Sequence, residues 1–546
     1  MSTFLDDATK TALGWAEVWA LFQPLSKAGL RYKRDVRPFA VSECQKWCEA
    51  MVDLKMVKRV LRDEAWKQKV CDLLREMPDV LTLLGLIQQG ASVRQVDFFE
   101  LKAFLWKAWQ LEELLQAKGL SLTWWRLLDW PELVGILNGP GMLVPEFELV
   151  ELGDEGFAAL RGELARLDGA LYACKKEQTD RLRARYGRAP SRDGQYVWEK
   201  TDAAAVARAE QDPELRLFAM NMFEAVFEVV EPADSIAWRT QREQVLVQIE
   251  DREADVLREL VQQFRPHVDA LEDAMHAVAR LDWTLAKALV GVRWQAGEAL
   301  WLEEDALPWQ VVGGWHPVAR EAVQKRGGTY TFLDMELACG VGLITGPNMG
   351  GKTVVLKTFG LLQALAQYGM PVPAARFAFH PVERIGWSGG DEQSMDSGLS
   401  SFGAEVQRLA ELLQGGARAL LLLDEVARTT NPEEGEALAI GLAGYLLQSG
   451  HAALMASHFP GVTGVPGIQG FRVAGLQRDV LAELERQGRI DMVRDLQQAM
   501  DYRLIPCAGQ EVPRDAVRLA RCFGLPEGVL QMAQAVLDRK EGETKR

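Results

Sequence analysis

The stretch Gly346-Pro-Asn-Met-Gly-Gly-Lys-Thr353 directly follows the apolar run Val341-Gly-Leu-Ile-Thr345. A glycine, four further residues and then Gly-Lys-Thr, placed between a strand and a helix, form the pattern of a phosphate-binding loop. In such a loop the backbone N–H groups and the helix N-terminus point at the anion. Lys352 would reach the β and γ phosphates, and the Thr353 hydroxyl would hold Mg²⁺. We therefore predict ATP as the ligand, bound by Gly346, Pro347, Asn348, Met349, Gly350, Gly351, Lys352 and Thr353.

A second motif supports hydrolysis as well as binding. Four leucines, residues 420–423, lead into Asp424 and Glu425. Such a run predicts a buried parallel strand, and an acid at its carboxyl end would meet Mg²⁺. We predict that Asp424 joins Thr353 and the phosphate loop in binding the metal and the nucleotide. Glu425 would then orient or deprotonate the attacking water.

The residues Thr345-Gly-Pro-Asn-Met-Gly-Gly-Lys-Thr353 resemble the MutS mismatch-repair ATPase family, whose loop carries this Pro-Asn-Met insert. The generic phosphate-loop pattern does not require those three residues, so the match is specific. Further matches follow in the family's order. They are Trp315-His-Pro-Val318, Gly398-Leu-Ser-Ser-Phe402, Asp424-Glu-Val-Ala-Arg-Thr-Thr430, Ala456-Ser-His-Phe459, Asp501-Tyr-Arg-Leu504, Ala516-Val-Arg-Leu-Ala520 and Gly524-Leu-Pro526.

The resemblance implies roles for individual residues. Ser400, in the family's signature loop, would face the nucleotide of a partner subunit, and His458 would sense the γ-phosphate. With Glu425, these two complete the expected catalytic set in a homodimer, or in a heterodimer with a related subunit. The family's Gly-Arg-Gly-Thr appears here as Ala427-Arg-Thr-Thr430, which has lost both glycines. This departure leaves open how tightly two ATP sites would be coupled.

Composition agrees with a large protein of the reducing cytoplasm. At 546 residues, with 48% hydrophobic and 25% charged residues, the chain predicts two or more globular domains. The first residues carry acids where a signal peptide needs bases, and no apolar run approaches the about 18 residues of a membrane span. The seven cysteines contain no Cys-x-x-Cys pair. We expect a cytoplasmic protein with no membrane contact.

One basic tract stands out in a chain of net charge −15. Residues 175–200 contain eight basic and four acidic residues, with Tyr186, Tyr196 and Trp198 interleaved. This pattern suits contacts with DNA phosphates and stacking with bases or sugars, although a solvated helix end and loop would look similar. The candidate DNA contacts are Lys175, Lys176, Arg181, Arg183, Arg185, Arg188 and Arg192.

The predicted fold class is α + α/β. An all-helical N-terminal half, resembling the family's lever and clamp with long coiled-coil arms, would precede an ABC-type P-loop ATPase domain and a helical dimerisation element. Residues 156–186 and 236–290 predict two long helices, the second kinked or restarted at Pro266. The expected segments are 1–155 (helical core and lever), 156–240 (arm and clamp-like insertion), 241–295 (returning lever helix), 296–500 (ATPase domain) and 501–546 (dimerisation segment and tail).

The match is to a short member of the family, without the mismatch-recognition and connector domains. Lever-like sequence begins within the first twenty residues. Phe98-Phe-Glu100 formally fits the mismatch readers' Phe-x-Glu motif, but it lies in an amphipathic helical stretch, which favours packing. Two hypotheses follow. The first is an ATP-driven lever and clamp on structured or damaged DNA. The alternative is a remodelling factor for a protein client, such as the reactivation of a cobalamin-dependent aminomutase, which the acidic balance favours.

Overall fold

A computed structural model describes most of the chain. Two compact units emerge: Met1–Arg75 with Ala117–Leu122 and Val278–Arg546 form the first, and Glu76–Gln116 with Thr123–Ala277 form the second. Both helices and sheets are present, as predicted. The five segments expected from the sequence stay a prediction. The described residues are 3–122, 124–125, 130–138, 154–304, 307–338, 340–347, 350–389, 401–414, 418–477, 479–480, 499–507, 517, 520–521 and 525–544.

Helices dominate the part of the chain before residue 294. None of the helices in the described residues is long and apolar enough to cross a membrane. The helices are α1 Asp7–Ala12, α2 Trp15–Ala20, α3 Lys27–Asp35, α4 Cys44–Val60, α5 Glu64–Arg75, α6 Leu81–Gln89, α7 Gln95–Ala117, α8 Trp130–Asn138, α9 Glu155–Tyr186, α10 Ala203–Glu210, α11 Ala233–Phe264, α12 Val268–Arg293, α13 Pro317–Lys325, α14 Lys352–Gln367, α15 Ser401–Leu413, α16 Pro432–Ser449 and α17 Glu527–Thr544.

The strands of the described residues form three sheets, with orders β1-β3-β2, β13-β12-β7-β11-β10-β9 and β4-β8-β5-β6. In the six-stranded sheet every pair is parallel except β12 with β13. The strands are β1 Gln195–Glu199, β2 Leu215–Met220, β3 Glu224–Val229, β4 Glu298–Trp301, β5 Trp309–Gly314, β6 Leu333–Leu337, β7 Val341–Thr345, β8 Arg376–Phe379, β9 Arg384–Gly389, β10 Ala419–Asp424, β11 Ala452–Ala456, β12 Gln469–Leu476 and β13 Met500–Pro506.

The central strands of the six-stranded sheet, β7, β11 and β10, are buried on both faces. All residues of β7 and β11 are buried, which explains why these strands are apolar without alternation. Successive residues of β10 point to opposite faces, so Leu420 and Leu422 join one hydrophobic core while Leu421 and Leu423 join another. Helix α14 packs beside β10 and β11 and carries the phosphate loop at its N-terminus. The sheet therefore fixes where the loop lies.

The first residues of the chain belong to the same core. Leu13, Trp15 and Phe22 are buried in the cluster that also contains residues of α14 and of β7 and β10. The backbone N–H of Ile385 in β9 donates to the carbonyl of Phe4 at 2.9 Å. This segment lies in the predicted helical core and lever over residues 1–155, which stays a prediction. By its contacts it is part of the first compact unit.

A buried carboxylate joins the first segment to α12. Asp282 is fully buried and accepts hydrogen bonds from the backbone N–H groups of Leu25 and Ser26 at 2.9 and 2.7 Å, and from the Ser26 hydroxyl at 2.6 Å. The Ser26 hydroxyl in turn accepts from the N–H of Gly29, which makes Ser26 the N-cap of α3. Burial raises the pKa of Asp282, although these hydrogen bonds oppose the shift. Asp282 therefore fixes the start of α3 by accepting hydrogen bonds from three donors.

Two helices of 32 residues, α9 and α11, pack together in the second unit. They run antiparallel, since Asp154, the N-cap of α9, pairs with Arg252 of α11, and Asp168 of α9 pairs with Arg242 of α11. The helix predicted over 236–290 is interrupted by a short 3₁₀ turn at Arg265–His267, which separates α11 from α12. The predicted restart at Pro266 is thus confirmed.

The prediction of an all-helical N-terminal half is wrong for the segment between α9 and α11. Residues 195–229 contain the antiparallel sheet β1-β3-β2, packed on α10. Its core is formed by Leu182, Tyr196, Leu215 and Phe227. Short strands of five or six residues, separated by turns, give little periodicity for sequence analysis to detect.

Two smaller predictions are also decided. Phe98 is fully buried and its ring lies 6.0 Å from that of Phe264, which confirms the packing interpretation of the Phe-x-Glu match. Residues 501–506, expected in a helical dimerisation segment, instead lie in β13 at the edge of the six-stranded sheet. There Leu504 pairs with Val473, so the segment completes the sheet.

Replacing Asp282 by alanine should destabilise the first unit. The change leaves the N–H groups of Leu25 and Ser26 buried without their acceptor, and we expect a loss of about 2–4 kcal/mol in the free energy of unfolding. Urea denaturation followed by tryptophan fluorescence measures it. Asp269→Ala, an exposed position in the same helix, is the control and should change little. Equal effects of the two substitutions would contradict the role given to Asp282.

Candidate nucleotide site

Three loops meet at the carboxyl ends of the central strands of the six-stranded sheet. Strands β7, β11 and β10 are neighbours and parallel, and Ala456 pairs with both Ile344 and Asp424. The phosphate loop follows β7, Ser457 and His458 follow β11, and Glu425 follows β10. The carboxyl ends of parallel strands are where α/β proteins bind ligands. The pairing therefore brings the sequence-predicted residues of all three motifs together.

The phosphate loop turns tightly through its glycines. Gly346 and Gly351 have φ angles of 148° and 86°, which L side chains rarely adopt. A Cβ on Gly350 would lie 2.8 Å from the carbonyl oxygen of Pro347. Gly351 is followed by α14, whose first N–H groups face the loop. Asn348 and Met349 lie outside the described residues.

Lys352 is held inside this loop. Only 5% of its side chain is exposed, and its ammonium donates to the carbonyls of Gly346 and Pro347 at 3.0 and 3.3 Å. The same nitrogen lies 3.3 Å from Oε1 of Glu425. The phosphate oxygens of a nucleotide in the loop would compete with these acceptors for the ammonium. Lys352 thereby links the phosphate loop to the acidic motif.

Thr353 and Asp424 form a hard-oxygen pair suited to Mg²⁺. The Thr353 hydroxyl donates to Oδ2 of Asp424 at 2.6 Å. The other oxygen, Oδ1, is buried and has no hydrogen-bond partner among the described residues. Burial raises the pKa of Asp424, and the neighbouring Glu425 charge adds to the shift, while the Thr353 hydrogen bond opposes it. A cation is the partner that such a desolvated carboxylate lacks.

The oxygen ligands offered by Thr353 and Asp424 also fit the usual coordination of Mg²⁺. Mg²⁺ usually takes one or two protein ligands and completes its shell with water and phosphate oxygens. Within the described part of the chain no group of three or more His, Cys, Asp or Glu side chains could hold a metal alone. Thr353 and Asp424 would therefore bind the ion together with a nucleotide.

Glu425 is positioned by an unusual backbone. Its φ angle is 52° and its N–H donates to the carbonyl of Ala456 at 2.9 Å. Burial alone would raise the pKa of Glu425, but the hydrogen bond from Arg428 and the charges of Lys352 and His458 outweigh it and lower the pKa. The carboxylate is thus ionised at neutral pH, as a residue that orients water requires.

Ala427 shares the left-handed conformation, with φ at 62°. Its N–H donates to Oε1 of Glu405 in α15 at 2.8 Å. This is a position where the resemblance leads one to expect glycine. A side chain in this conformation costs about 1–2 kcal/mol. The loop keeps the glycine-like backbone although the glycine has been replaced.

His458 lies beside this group and is exposed. Its ring centroid is 4.3 Å from that of Phe459, and its charge is one of those that lower the pKa of Glu425. The N–H of Ser457 donates to the carbonyl of Ile344 at 3.2 Å, which ties the loop to β7. Ser400, predicted to act on a partner's nucleotide, lies outside the described residues.

A cavity of about 490 Å³, which was not predicted from the sequence, adjoins the phosphate loop. Tyr330, Phe332 and Tyr502 line it, together with Gly350 and Gly351. Its aromatic walls suit a planar base, whereas the phosphate loop next to it suits an anion. The detectable signal was the aromatic pair Tyr-x-Phe shortly before β6. Tyr502 had been assigned to a dimerisation segment.

The basic tract of the second unit is partly neutralised. Arg181 pairs with Glu177 and Glu214 at 2.9 and 3.0 Å, and Arg185 pairs with Asp212 and Glu214 at 2.5 and 3.2 Å. Asp212 and Glu214 approach from outside the tract, so their effect could not be counted from the tract alone. Lys175, Lys176, Arg183 and Arg192 are exposed and form no ion pair with any described carboxylate.

The aromatic residues of the tract pack internally. Tyr196 is 1% exposed, and its ring stacks on that of Trp198 with centroids 5.2 Å apart. The guanidinium of Arg188 lies 5.4 Å from the Trp198 ring, and its N–H donates to the carbonyl of Val197. Stacking of Tyr196 on a base, as the sequence suggested, is therefore excluded by its burial. Contacts of the tract with DNA stay a prediction.

Comparison with known proteins agrees with the geometry. Residues 342–541 match the family model MutS domain V. The chain is similar to Endonuclease MutS2 of Thermomicrobium roseum, with 30% identity over 480 residues. It is also similar to Endonuclease MutS2 of Streptococcus pneumoniae, with 26% identity over 471 residues. DNA mismatch repair protein MutS of Chloroflexus aurantiacus is 30% identical over 302 residues.

These matches cover much of this chain and less of the relatives. The two MutS2 alignments cover 84% and 82% of this chain, but 55% and 56% of those proteins. The alignment with MutS covers 54% of this chain and 29% of that protein. The chain thus spans about half the length of the MutS2 relatives it matches.

Replacing Gly389 by alanine should damage the magnesium pair. Gly389 has a φ of 144°, and a Cβ there would lie 2.5 Å from Cβ of Asp424 and 2.6 Å from its carbonyl oxygen. Asp424 would have to move, and we expect Mg²⁺-dependent nucleotide affinity to fall by about 10- to 100-fold. A fluorescent ATP analogue titrated with Mg²⁺ measures this.

The matched control is Gly441→Ala in α16. A Cβ at Gly441 meets nothing within 4 Å. This substitution should leave nucleotide affinity unchanged. Unchanged affinity in Gly389→Ala as well would show that Asp424 does not depend on its close neighbour.

Proposed function

We propose, from the premise that this chain belongs to the MutS family, that it is an ATP hydrolase whose ATP cycle is coupled to contacts with structured or damaged DNA. The observation that carries the proposal is the convergence of Lys352, Thr353, Asp424 and Glu425 within hydrogen-bond or ion-pair distance at one sheet edge. Phosphate binding, metal binding and water activation need these residue types together.

The division of labour follows from the contacts. The triphosphate would lie along Gly346–Thr353, with Lys352 donating to its β and γ oxygens. Mg²⁺, held by Thr353 and Asp424, would neutralise charge on the phosphates. Glu425, kept ionised by Arg428 and Lys352, would orient the attacking water. His458, next to Glu425, would contact the γ-phosphate.

The base would occupy the cavity beside the loop. Tyr330, Phe332 and Tyr502 offer ring faces, and Gly351 allows close approach because it has no side chain. Stacking on aromatic rings contributes about 1–3 kcal/mol per base. Adenine is the base that the expected ATP would place there.

DNA as the partner is supported by the names of the relatives, Endonuclease MutS2 and DNA mismatch repair protein MutS. Lys175, Lys176, Arg183 and Arg192, which are exposed and have no ion-pair partner among the described residues, are the candidate phosphate contacts. They lie on α9 and in the loop that follows it, as expected for the tip of a clamp arm. The comparisons do not favour the alternative of a protein client.

We also propose a dimer, either of two copies or with a related subunit. The support is the resemblance of Gly398–Phe402 to the family's signature loop. In that arrangement Ser400 of one subunit would complete the site of the other, and hydrolysis would depend on dimerisation.

Two substitutions should separate binding from hydrolysis. Lys352→Ala should abolish nucleotide binding, because the loop loses its only lysine. Glu425→Gln should still bind ATP, but hydrolyse it at least about a hundredfold more slowly, because the amide cannot accept a proton from water. Steady-state ATPase rates and equilibrium binding of labelled ATP measure both effects.

The control is Glu434→Gln, an exposed carboxylate in the first turn of α16. It should keep the wild-type rate. Normal turnover in Glu425→Gln would refute the role given to that residue.

DNA should stimulate the ATPase in a salt-dependent manner. We expect mismatched or four-way-branched duplexes to stimulate the ATPase more than plain duplex does. The stimulation should weaken as the salt concentration rises, because Lys and Arg side chains that bind DNA phosphates release counterions. Steady-state rates at two salt concentrations test this. A rate indifferent to all three DNA forms at low salt would contradict the proposal.

A matched pair of variants on α9 locates the contact. Arg183→Gln should lower DNA affinity and reduce the slope of log affinity against log salt by about one. Arg181→Gln should have the smaller effect, since Glu177 and Glu214 already pair with that guanidinium. An equal loss of DNA affinity in both variants, or no loss in either, would contradict the assignment of the tract as the DNA contact.

A further inference from the structure

A second cavity of the first unit, of about 510 Å³, takes no part in the nucleotide chemistry. Its floor consists of the buried residues Asp53, Trp283, Thr284 and Lys287, contributed by α4 and α12. Its rim includes Tyr32 of α3 and Tyr368, which follows α14. The floor is charged, which is unusual for a buried surface.

Lys287 is the least expected of these residues. It is 6% exposed, and its ammonium donates to the carbonyl of Gly369 at 3.1 Å. An ammonium has three donors, so this hydrogen bond uses one. No described carboxylate lies within ion-pair distance of this nitrogen. Burying a cation without a counter-charge is strongly unfavourable.

The neighbouring charges do not compensate for it. Arg280 also lines the cavity, and its guanidinium lies 3.5 Å from the carboxylate of Asp53. The floor and its wall thus hold two cations and one carboxylate. Burial lowers the pKa of Lys287 to about 8, with Arg280 adding to the shift and Asp53 opposing it. The amine therefore still carries a proton for most of the time at neutral pH.

The charged residues of the rim do not neutralise the excess positive charge of the floor and its wall. Arg37 and Lys46 both pair with Glu43, at 3.2 and 2.9 Å. Asp35 and Glu49 complete the titratable lining residues and are exposed, where water screens their charge. The positive charge on the buried floor is therefore not cancelled by the exposed acids.

The walls favour a ligand with an apolar or planar body. Trp283 is 3% exposed and belongs to a group of packed rings that also includes Trp19 and Tyr368. Ring faces and edges bind planar groups, while the polar groups of a pocket fix their orientation. The volume lies within the range typical of pockets for small molecules.

We propose that this cavity binds a small organic anion, a phosphate or a carboxylate on a planar or apolar body, with Lys287 and Arg280 as its charge partners. The anion would supply Lys287 with a direct ion-pair partner, which no described carboxylate provides, and would use donors of its ammonium that Gly369 leaves available. The proposal is independent of ATP hydrolysis, because none of these residues belongs to the phosphate loop or the acidic motif.

Calorimetric titration of the full chain tests the proposal. The probes are phenyl phosphate, benzoate and benzyl alcohol, which share a ring but differ in charge. Saturating Mg²⁺-ADP occupies the phosphate loop, and the Lys352→Ala variant provides the same test without nucleotide. We expect saturable binding of at least one anion and none of benzyl alcohol. Which anion binds more tightly identifies the head group as phosphate or carboxylate.

Variants of two lysines decide whether the cavity is the site. Lys287→Met keeps the length of the side chain and removes its charge, so it should weaken binding of the anion at least about tenfold. Lys325→Met, at an exposed lysine paired with Glu321, should leave binding unchanged. Absence of saturable anion binding, or equal affinity in wild type and Lys287→Met, would overturn the proposal.

A measurement on the unaltered chain guards against misfolding of the variant. The bound anion should raise the thermal midpoint of the wild-type chain in a concentration-dependent way, since it binds the folded state alone. Benzyl alcohol at equal concentration should not. A rise of the same size with both probes would mean that the charge of the floor is not recognised, and would refute the site.

Discussion

The parallel pairing of β7, β11 and β10 is the constraint on which the candidate nucleotide site depends. Each strand ends in a loop with different chemistry, and the ladder fixes how far apart these loops are. Asp424 pairs with Ala456, and Ala456 pairs with Ile344, so the register leaves no freedom to separate the loops. Since these strands are buried on both faces, a shift of one residue would move every side chain to the opposite core, where it meets different neighbours. The core therefore enforces the geometry of the site.

The chemistry of this site could be predicted from sequence because its motifs are local. A phosphate loop needs a few consecutive residues, and Asp424 and Glu425 follow their strand directly. The cavity beside the phosphate loop could not be predicted, since Phe332, which precedes β6, and Tyr502 of β13 are distant in sequence and meet only in the folded chain. The neutralisation of Arg185 by Asp212 could not be predicted for the same reason, since the two residues are distant in sequence. Non-local partners carry no signal within a window of sequence.

The loop after β10 shows how a departure from a family pattern can be absorbed. Glu425 and Ala427 both adopt left-handed backbone angles, and each is held by a hydrogen bond from its N–H, to Ala456 and Glu405 respectively. Such strain persists only when surrounding contacts outweigh it, and it is frequent at functional sites. Alanine at position 427 thus occupies a backbone conformation that favours glycine. The position of the Glu425 carboxylate thus depends on α15 as well as on the sheet.

The discontinuity of the first unit bears on how the chain is made. Leu5 forms a β-bridge with Ile385, so the start of the chain completes its core only after that residue has been synthesised. At about 5–20 residues per second, the wait is roughly 20–80 s. Residues 76–116 and 123–277, in contrast, form a unit of their own that is complete earlier. During translation the inserted unit can therefore fold first, while Leu13, Trp15 and Phe22 remain without their native partners and are the natural targets for a chaperone.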